Sequence, residues 1–223
     1  MRKVYLACIT FIGLTTLALA YVVPEDDFDG QVIKHFAYTL KYCKKWHQAY
    51  WVAYEINAEK LRAPACKRND RFRPDPAVEG GSAKLSDYSR SGYDRGHMAP
   101  AAVFKWSPKA MLESFYLSNM SPQTKDCNRK IWKMVEARVR DIAMEYGVVN
   151  VITGPIVIGK VYQEIGSSRV AVPQLYFKVV LDRNMKPIEC FVVPNRGSKY
   201  PPSYFNVPIK FVTALTDLRF PAT

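Results

Sequence analysis

Along residues 36–42, Phe36, Tyr38, Leu40 and Tyr42 occupy every second position, the period of a half-buried strand. Residues 50–56, Tyr-Trp-Val-Ala-Tyr-Glu-Ile, predict a second strand rich in aromatic and branched side chains. Residues 62–92 then turn polar, with Pro64, Pro74, Pro76, Gly80 and Gly81, and form a connection long enough to carry function. Ser107-Pro108 predicts a capped helix start. Residues 128–146 read as the main helix, with Ile131, Val135, Val139 and Ile142 on one apolar stripe and Gly147 as its stop. Residues 148–153 predict a buried strand ended by Gly154-Pro155. Residues 174–181 and 187–193 predict a hairpin-like pair, and 206–216 a last helix. Strands joined by loops, with few helices between them, predict an α+β fold on a mainly antiparallel sheet flanked by helices.

The first twenty residues fall outside this pattern. Arg2 and Lys3 precede an uncharged apolar run from Val4 to Leu19, which ends in Ala18-Leu19-Ala20. That arrangement predicts a cleaved signal peptide over 1–20 and a single domain over 21–223. The competing reading is an uncleaved membrane anchor, for which the run is slightly short. Cleavage would leave no stable membrane association and a secreted or periplasmic protein.

Charge narrows the partners. Thirty-two Lys and Arg against 20 Asp and Glu give +12 over 223 residues, and the excess survives removal of Arg2 and Lys3. Such a surface meets nucleic acid or another polyanion, or simply keeps an exported protein soluble. With 48% hydrophobic and 23% charged residues, the chain is neither disordered nor fibrous. Apart from Cys8, the cysteines are Cys43, Cys66, Cys127 and Cys190. In an oxidising compartment they predict one or two disulfides; four buried thiols are the alternative.

Candidate chemistry gathers at two places. Of three histidines, His35 and His47 have the surroundings of ordinary, partly buried side chains. His97 stands in Ser91-Gly92-Tyr93-Asp94-Arg95-Gly96-His97-Met98-Ala99-Pro100, beside a planar phosphate donor, Arg95, and two glycines that permit close approach of a ligand. On the main helix Asn128, Trp132, Glu136 and Arg140 are spaced by four and form one slowly drifting stripe. Their bland readings are an N-cap for Asn128 and an exposed ion pair for Glu136 and Arg140.

Asp94-Arg95-Gly96-His97 resembles the motif of the DNA/RNA non-specific endonucleases, the ββα-metal nuclease group. Trp51-Val52-Ala53-Tyr54, Phe72-Arg73-Pro74-Asp75-Pro76, Lys109-Ala110-Met111, Phe115-Tyr116-Leu117-Ser118-Asn119 and Pro122-Gln123 follow the family in order. The resemblance spans about residues 50–195 and implies the ββα-metal nuclease fold. It implies that His97 is the general base, and that Asn128 is the single protein ligand of Mg²⁺, with Mn²⁺ as a substitute. Glu136 would hold the metal's water, and Arg140 would stabilise the phosphate. Arg95 would lie near the substrate, and Asn119 would help shape the site. A loop arginine is also implied; Lys67, Arg68 and Arg71 compete, with Arg68 taken first and Arg71 second. The implied activity is metal-dependent hydrolysis of DNA and RNA to 5′-phosphate and 3′-hydroxyl ends, by a chain able to form a homodimer. A non-catalytic nucleic-acid binder and a phosphodiesterase of small nucleotides are the rival readings.

Overall fold

The computed structural model describes residues 23–159 and 162–221. The expected leader over 1–20 lies outside them. The strands are β1 (Gln31–Lys34), β2 (Tyr38–Cys43), β3 (Gln48–Asn57), β4 (Tyr93–His97), β5 (Met120–Thr124), β6 (Val148–Ile156), β7 (Glu164–Ile165), β8 (Val170–Ala171), β9 (Leu175–Leu181) and β10 (Pro187–Pro194). The helices are α1 (Ala58–Arg62), α2 (Leu85–Tyr88), α3 (Pro108–Glu113), α4 (Lys133–Tyr146) and α5 (Ile209–Thr216). Six strands form one antiparallel sheet in the order β1-β2-β3-β6-β9-β10. This is the expected α+β fold.

Within the six-stranded sheet, period-2 alternation divides the buried apolar residues between two cores. Tyr38, Leu40, Tyr42, Val149, Val151, Tyr176 and Val180 pack against Val135, Val139 and Ile142 of α4. Ile152, Phe177, Val179 and Leu181 pack on the other side with Val212 of α5, Leu218 and Phe220. β2 is therefore covered on both faces rather than half-buried, and Phe36 lies outside it, partly exposed against Trp106.

Two predicted boundaries moved for local reasons. β6 runs on through Gly154-Pro155 to Ile156. A Cβ at Gly154 would lie 2.3 Å from the Tyr50 carbonyl, so glycine here permits close strand packing rather than ending the strand. The main helix opens as a π-helical turn, Cys127–Trp132, before α4 begins. Its other end follows the reading: Gly147 caps it at φ 79°.

The four described cysteines are free thiols, which corrects the disulfide expectation. They sit in separate surroundings. Cys127 belongs to the α4 core and Cys190 to the α5 core. Cys43 is buried at the end of β2, and the Cys66 thiol donates to the Lys105 carbonyl. No helix among the described residues is long and apolar enough to cross a membrane.

Candidate active site

β4 and β5 pair antiparallel, and the chain passes from β5 into the π turn and α4. This strand–strand–helix unit carries His97 at the end of β4 and Asn128 in the first helical turn. Together with the long loop before β4, it encloses a cavity of about 650 Å³. The cavity is lined by His97, Asn128, Glu136, Arg140, Arg95 and Arg68, six of the residues picked from sequence.

The π turn explains how Asn128 and Glu136 share one cavity. On an uninterrupted α-helix, eight residues accumulate a drift of roughly 80°. A π turn holds more residues, so each rotates less and part of the drift is undone. The steady stripe expected from spacing is corrected accordingly. Trp132 does not line the cavity: it is buried, its Nε1 donates to the His97 carbonyl at 3.2 Å, and its indole also acts on the Glu136 carboxyl. Asn128 is no N-cap. Its Nδ2 donates to Asp94 Oδ2 at 3.0 Å, and the same carboxylate takes two bonds from Arg129, at 2.8 and 2.9 Å. Arg129 and Asn128 hold the Asp94 carboxyl below its usual range, so it stays an acceptor. The Asn128 oxygen is left as the free end of the amide. Among the described residues, no ion pair joins Glu136 to Arg140.

His97 is 8% exposed, with the Phe115 ring 4.9 Å away at 90° and the Phe72 ring 5.7 Å away. Its Nε2 is buried without a partner. Burial, then Arg68 and Arg95, push its pKa down to about 3, so the imidazole is neutral. Arg95 lies 4.3 Å over the Phe72 ring, with its Nε also unpartnered. Arg68 lies 5.2 Å over the Phe115 ring and bonds Asp70 at 2.7 Å. Glu136 has its pKa raised by burial, opposed by Lys178, Arg140 and Arg68. Five cations line the cavity (Arg68, Arg95, Arg129, Lys133 and Arg140) against two carboxylates, Asp94 and Glu136. That balance suits an anionic ligand.

Two residues picked from sequence lie outside the cavity lining. Asn119 does not line the cavity. It is fully buried, and its amide is spent on the backbone: Oδ1 accepts from Ala99 N, and Nδ2 donates to Ala99 O and Ser114 O, each at 2.9 Å. These bonds tie it to the chain just after His97. Arg71 is also outside the cavity, which favours Arg68 as the loop arginine. The other histidines are elsewhere. His35 Nε2 lies 2.9 Å from Asp75 Oδ2, as expected of a satisfied side chain. His47 sits at φ 51° with its Nδ1 buried and unpartnered, away from the cavity.

Sequence reasoning missed the aromatic walls, the Asp94–Asn128 bond and Lys178, a fully buried cation on β9. Lys178 did carry a signal: it is a lone charge inside the apolar run of 175–181.

No group of three or more His, Cys, Asp or Glu among the described residues could hold a metal. A zinc-type cage is therefore not built here. One free amide oxygen fits a hard cation that keeps most of its water and takes further oxygens from a phosphate.

The DNA/RNA non-specific endonuclease family model matches residues 17–223. Human "Endonuclease G, mitochondrial" is 36% identical over 206 residues, covering 86% of this chain and 69% of that protein. "Nuclease 1, mitochondrial" of Schizosaccharomyces pombe is 35% identical over 220 residues, covering 89% and 68%. Human "Nuclease EXOG, mitochondrial" is 36% identical over 188 residues, covering 76% and 51%. The solved structure "Crystal structure of the EndoG/EndoGI complex: Mechanism of EndoG inhibition" superposes with a TM-score of 0.78 at 34% identity, covering 86% of this chain and 87% of that one. These relatives are mitochondrial nucleases by name, which overturns the expectation of a secreted or periplasmic protein. Two positive residues and an apolar run do not spell a single address, and neither a signal peptide nor secretion draws support from these relatives.

Proposed function

This chain belongs to the DNA/RNA non-specific endonuclease family, and from that premise we propose that it hydrolyses phosphodiester bonds of both DNA and RNA, with His97 as general base and a divalent cation held by Asn128. The observation that carries the reading is the convergence in one cationic cavity of an unpartnered imidazole nitrogen and a free amide oxygen. The mitochondrial placement of the relatives is the one we carry over to this chain.

A phosphodiester is shielded by its own negative charge. The five cations offset that charge and draw the backbone in, while contributing no sequence information. Arg95 and Arg140 are the donors nearest in role to the developing charge on phosphorus, and Arg95 is pre-set by its stack on Phe72. Water attacks phosphorus and gives its proton to the His97 imidazole. The bond to the 3′ oxygen breaks, and that oxygen takes a proton from solvent, leaving 5′-phosphate and 3′-hydroxyl ends. Phe72 and Phe115 flank His97, and burial among them keeps the imidazole neutral. Asn128 presents its oxygen because Asp94 holds its nitrogen. Mg²⁺ or Mn²⁺, when bound there, supplies charge neutralisation and stabilises the leaving oxygen. Glu136 orders water beside it.

The test is digestion of a supercoiled plasmid and an unstructured RNA, with Mg²⁺ and with excess EDTA. Loss of both substrates with Mg²⁺ alone is the expected result. Intact substrates in every tube, from folded protein, would remove the nuclease assignment.

A further inference from the structure

The chain beyond β10 carries a pair of exposed tyrosines. Tyr200 and Tyr204 stack with ring centroids 4.2 Å apart and planes 14° from parallel. Tyr204 is 65% exposed and Tyr200 45%, so two large rings stand together in solvent. Single exposed aromatics are ordinary, whereas a contiguous pair marks a surface built to meet something. The pair is held in place. Pro201 and Pro202 join the two rings and restrict the backbone between them. Tyr204 N donates to the Pro201 carbonyl at 3.1 Å. Tyr204 also meets the Phe205 ring edge-on at 5.4 Å, and Phe205 is anchored in the α4 core. Rings fixed before a ligand arrives lose little freedom when it binds.

The surroundings are cationic. Between Asn195 and Phe205 the chain has Arg196 and Lys199 and no Asp or Glu. Lys199 Nζ lies 5.7 Å from the centre of the Tyr200 ring. Among the described residues, no ion pair joins either cation to a carboxylate. The segment also adjoins the candidate active site at two points. Arg196 lines a groove of about 430 Å³ that shares Tyr93 with the His97 cavity. A Cβ at Gly197 would lie 2.9 Å from the Asp126 Cβ, so the backbone passes close against the start of the turn that carries Asn128. Asp126 is itself paired with Lys130 at 2.7 Å, which offsets its charge.

We propose that Tyr200 and Tyr204 form a stacking platform for an unpaired base of the nucleic-acid strand being cut, with Arg196 and Lys199 holding the phosphates that lead to it. The inference rests on reading the His97 cavity as the nuclease site. Every base has a π-face, so stacking holds a strand without reading its sequence. A base inside a duplex is already stacked on its neighbours, so the platform serves single-stranded stretches. The rings meet the base and not the sugar, so DNA and RNA single strands are held alike. The two cations supply the charge that a phosphate backbone needs on its way to the rings.

The test uses the full chain in excess EDTA, where binding is measured without cleavage. A labelled single-stranded oligothymidylate and a duplex of equal length are titrated at several salt concentrations. Tyr200→Ala with Tyr204→Ala should weaken single-strand binding about 5–100-fold and leave duplex binding within about twofold. Its dependence on salt should not change, because no charge is lost. Tyr200→Phe with Tyr204→Phe keeps the stacking face and should bind like the wild type. Arg196→Ala with Lys199→Ala should instead flatten the single-strand salt slope by about 0.7 for each charge removed. An oligomer carrying 2-aminopurine should be quenched by the wild type and less by the alanine variant. If the double alanine variant does not fold, Tyr200→Ala alone carries the same comparison, since Tyr200 lies outside the turn Pro202–Phe205. Unchanged single-strand affinity, or an equal loss on single strand and duplex, would overturn the proposal. An alanine variant that binds single strands normally but sediments as a monomer where the wild type is a dimer would assign the rings to a second copy, and would also overturn it. If the wild type cuts nothing with Mg²⁺, the nuclease reading fails, while the metal-free titration still decides whether the tyrosines hold a base.

Discussion

Asp94 Oδ2 accepts the amide nitrogen of Asn128 at 3.0 Å, and this single bond decides which end of the amide meets the cavity. An asparagine amide is nearly symmetric in shape but opposite in polarity at its two ends. With the nitrogen engaged by a carboxylate, the oxygen is the end left for a cation. Arg129 secures the carboxylate with two further bonds. The first residue of the Asp94–His97 motif thus acts on the helix, and the last lines the cavity.

Asp94→Asn should weaken apparent Mg²⁺ affinity about 10–100-fold, the usual cost of losing a partner that orients a metal ligand. The neutral amide can accept or donate, so Asn128 loses its fixed sense. Cleavage rate against Mg²⁺ concentration checks this, alongside Mn²⁺ binding followed by electron paramagnetic resonance. Unchanged metal affinity would remove the orienting role.

His97→Ala should lower kcat by about 10²–10⁴-fold while nucleic-acid binding persists. The five cavity cations remain in the variant, and they carry the affinity. Single-turnover cleavage and filter binding on the same oligonucleotide separate the two effects. Cleavage near the wild-type rate would rule out the general-base role.

Acid should destabilise the fold through His97 before the carboxylates respond. Its folded pKa is about 3 against an ordinary 6.5, so the unfolded chain binds the proton first. The contribution is complete above about pH 6.5 and is lost as pH falls towards 3, at up to about 1.4 kcal/mol per pH unit. Asp75, Asp87 and Asp94 have lowered pKa values and add their losses only below the ordinary carboxylate range. Urea unfolding between pH 7 and 4.5 should fall steeply for the wild type and more gently for His97→Gln. Equal slopes would mean that His97 is not held neutral.

Asn119→Ala should cost about 2–4 kcal/mol, because it strands two buried carbonyls and one N–H. Asn119→Asp should cost more, since a carboxylate would face the Ala99 and Ser114 carbonyls that now accept hydrogen bonds. Because Asn119 braces the chain after His97, kcat should fall with KM little changed. Urea titration and steady-state kinetics together test this; a stable variant with normal kcat would refute it.

Much of the site was legible because chemistry is written in side-chain identity. Asp94-Arg95-Gly96-His97, Asn128, Glu136 and Arg140 stood out by type and spacing, and all six polar members line the cavity. The α4 stripe of Ile131, Val135, Val139 and Ile142 was legible too, since burial imposes a helical period. Other features were not legible. Asn119 has the residue type of a site group, but two of its three hydrogen bonds reach Ala99, twenty residues away, a contact that only folding makes. The four cysteines other than Cys8 are even in number, but the fold sends them to separate environments.

The sequence by itself determined the alternation that builds the sheet, the helical period that covers it, and the residue types able to handle a phosphate. Those are local properties, set by spacing of two or of about 3.6 and by the chemistry of single side chains. Only the tertiary structure decided which end of Asn128 is free, that Asn128 and Glu136 line one cavity, and that a lysine from β9 is buried against Trp132. These depend on contacts between residues far apart in the chain, such as Lys178 with Met98 and Trp132, and no local pattern encodes which of them will meet.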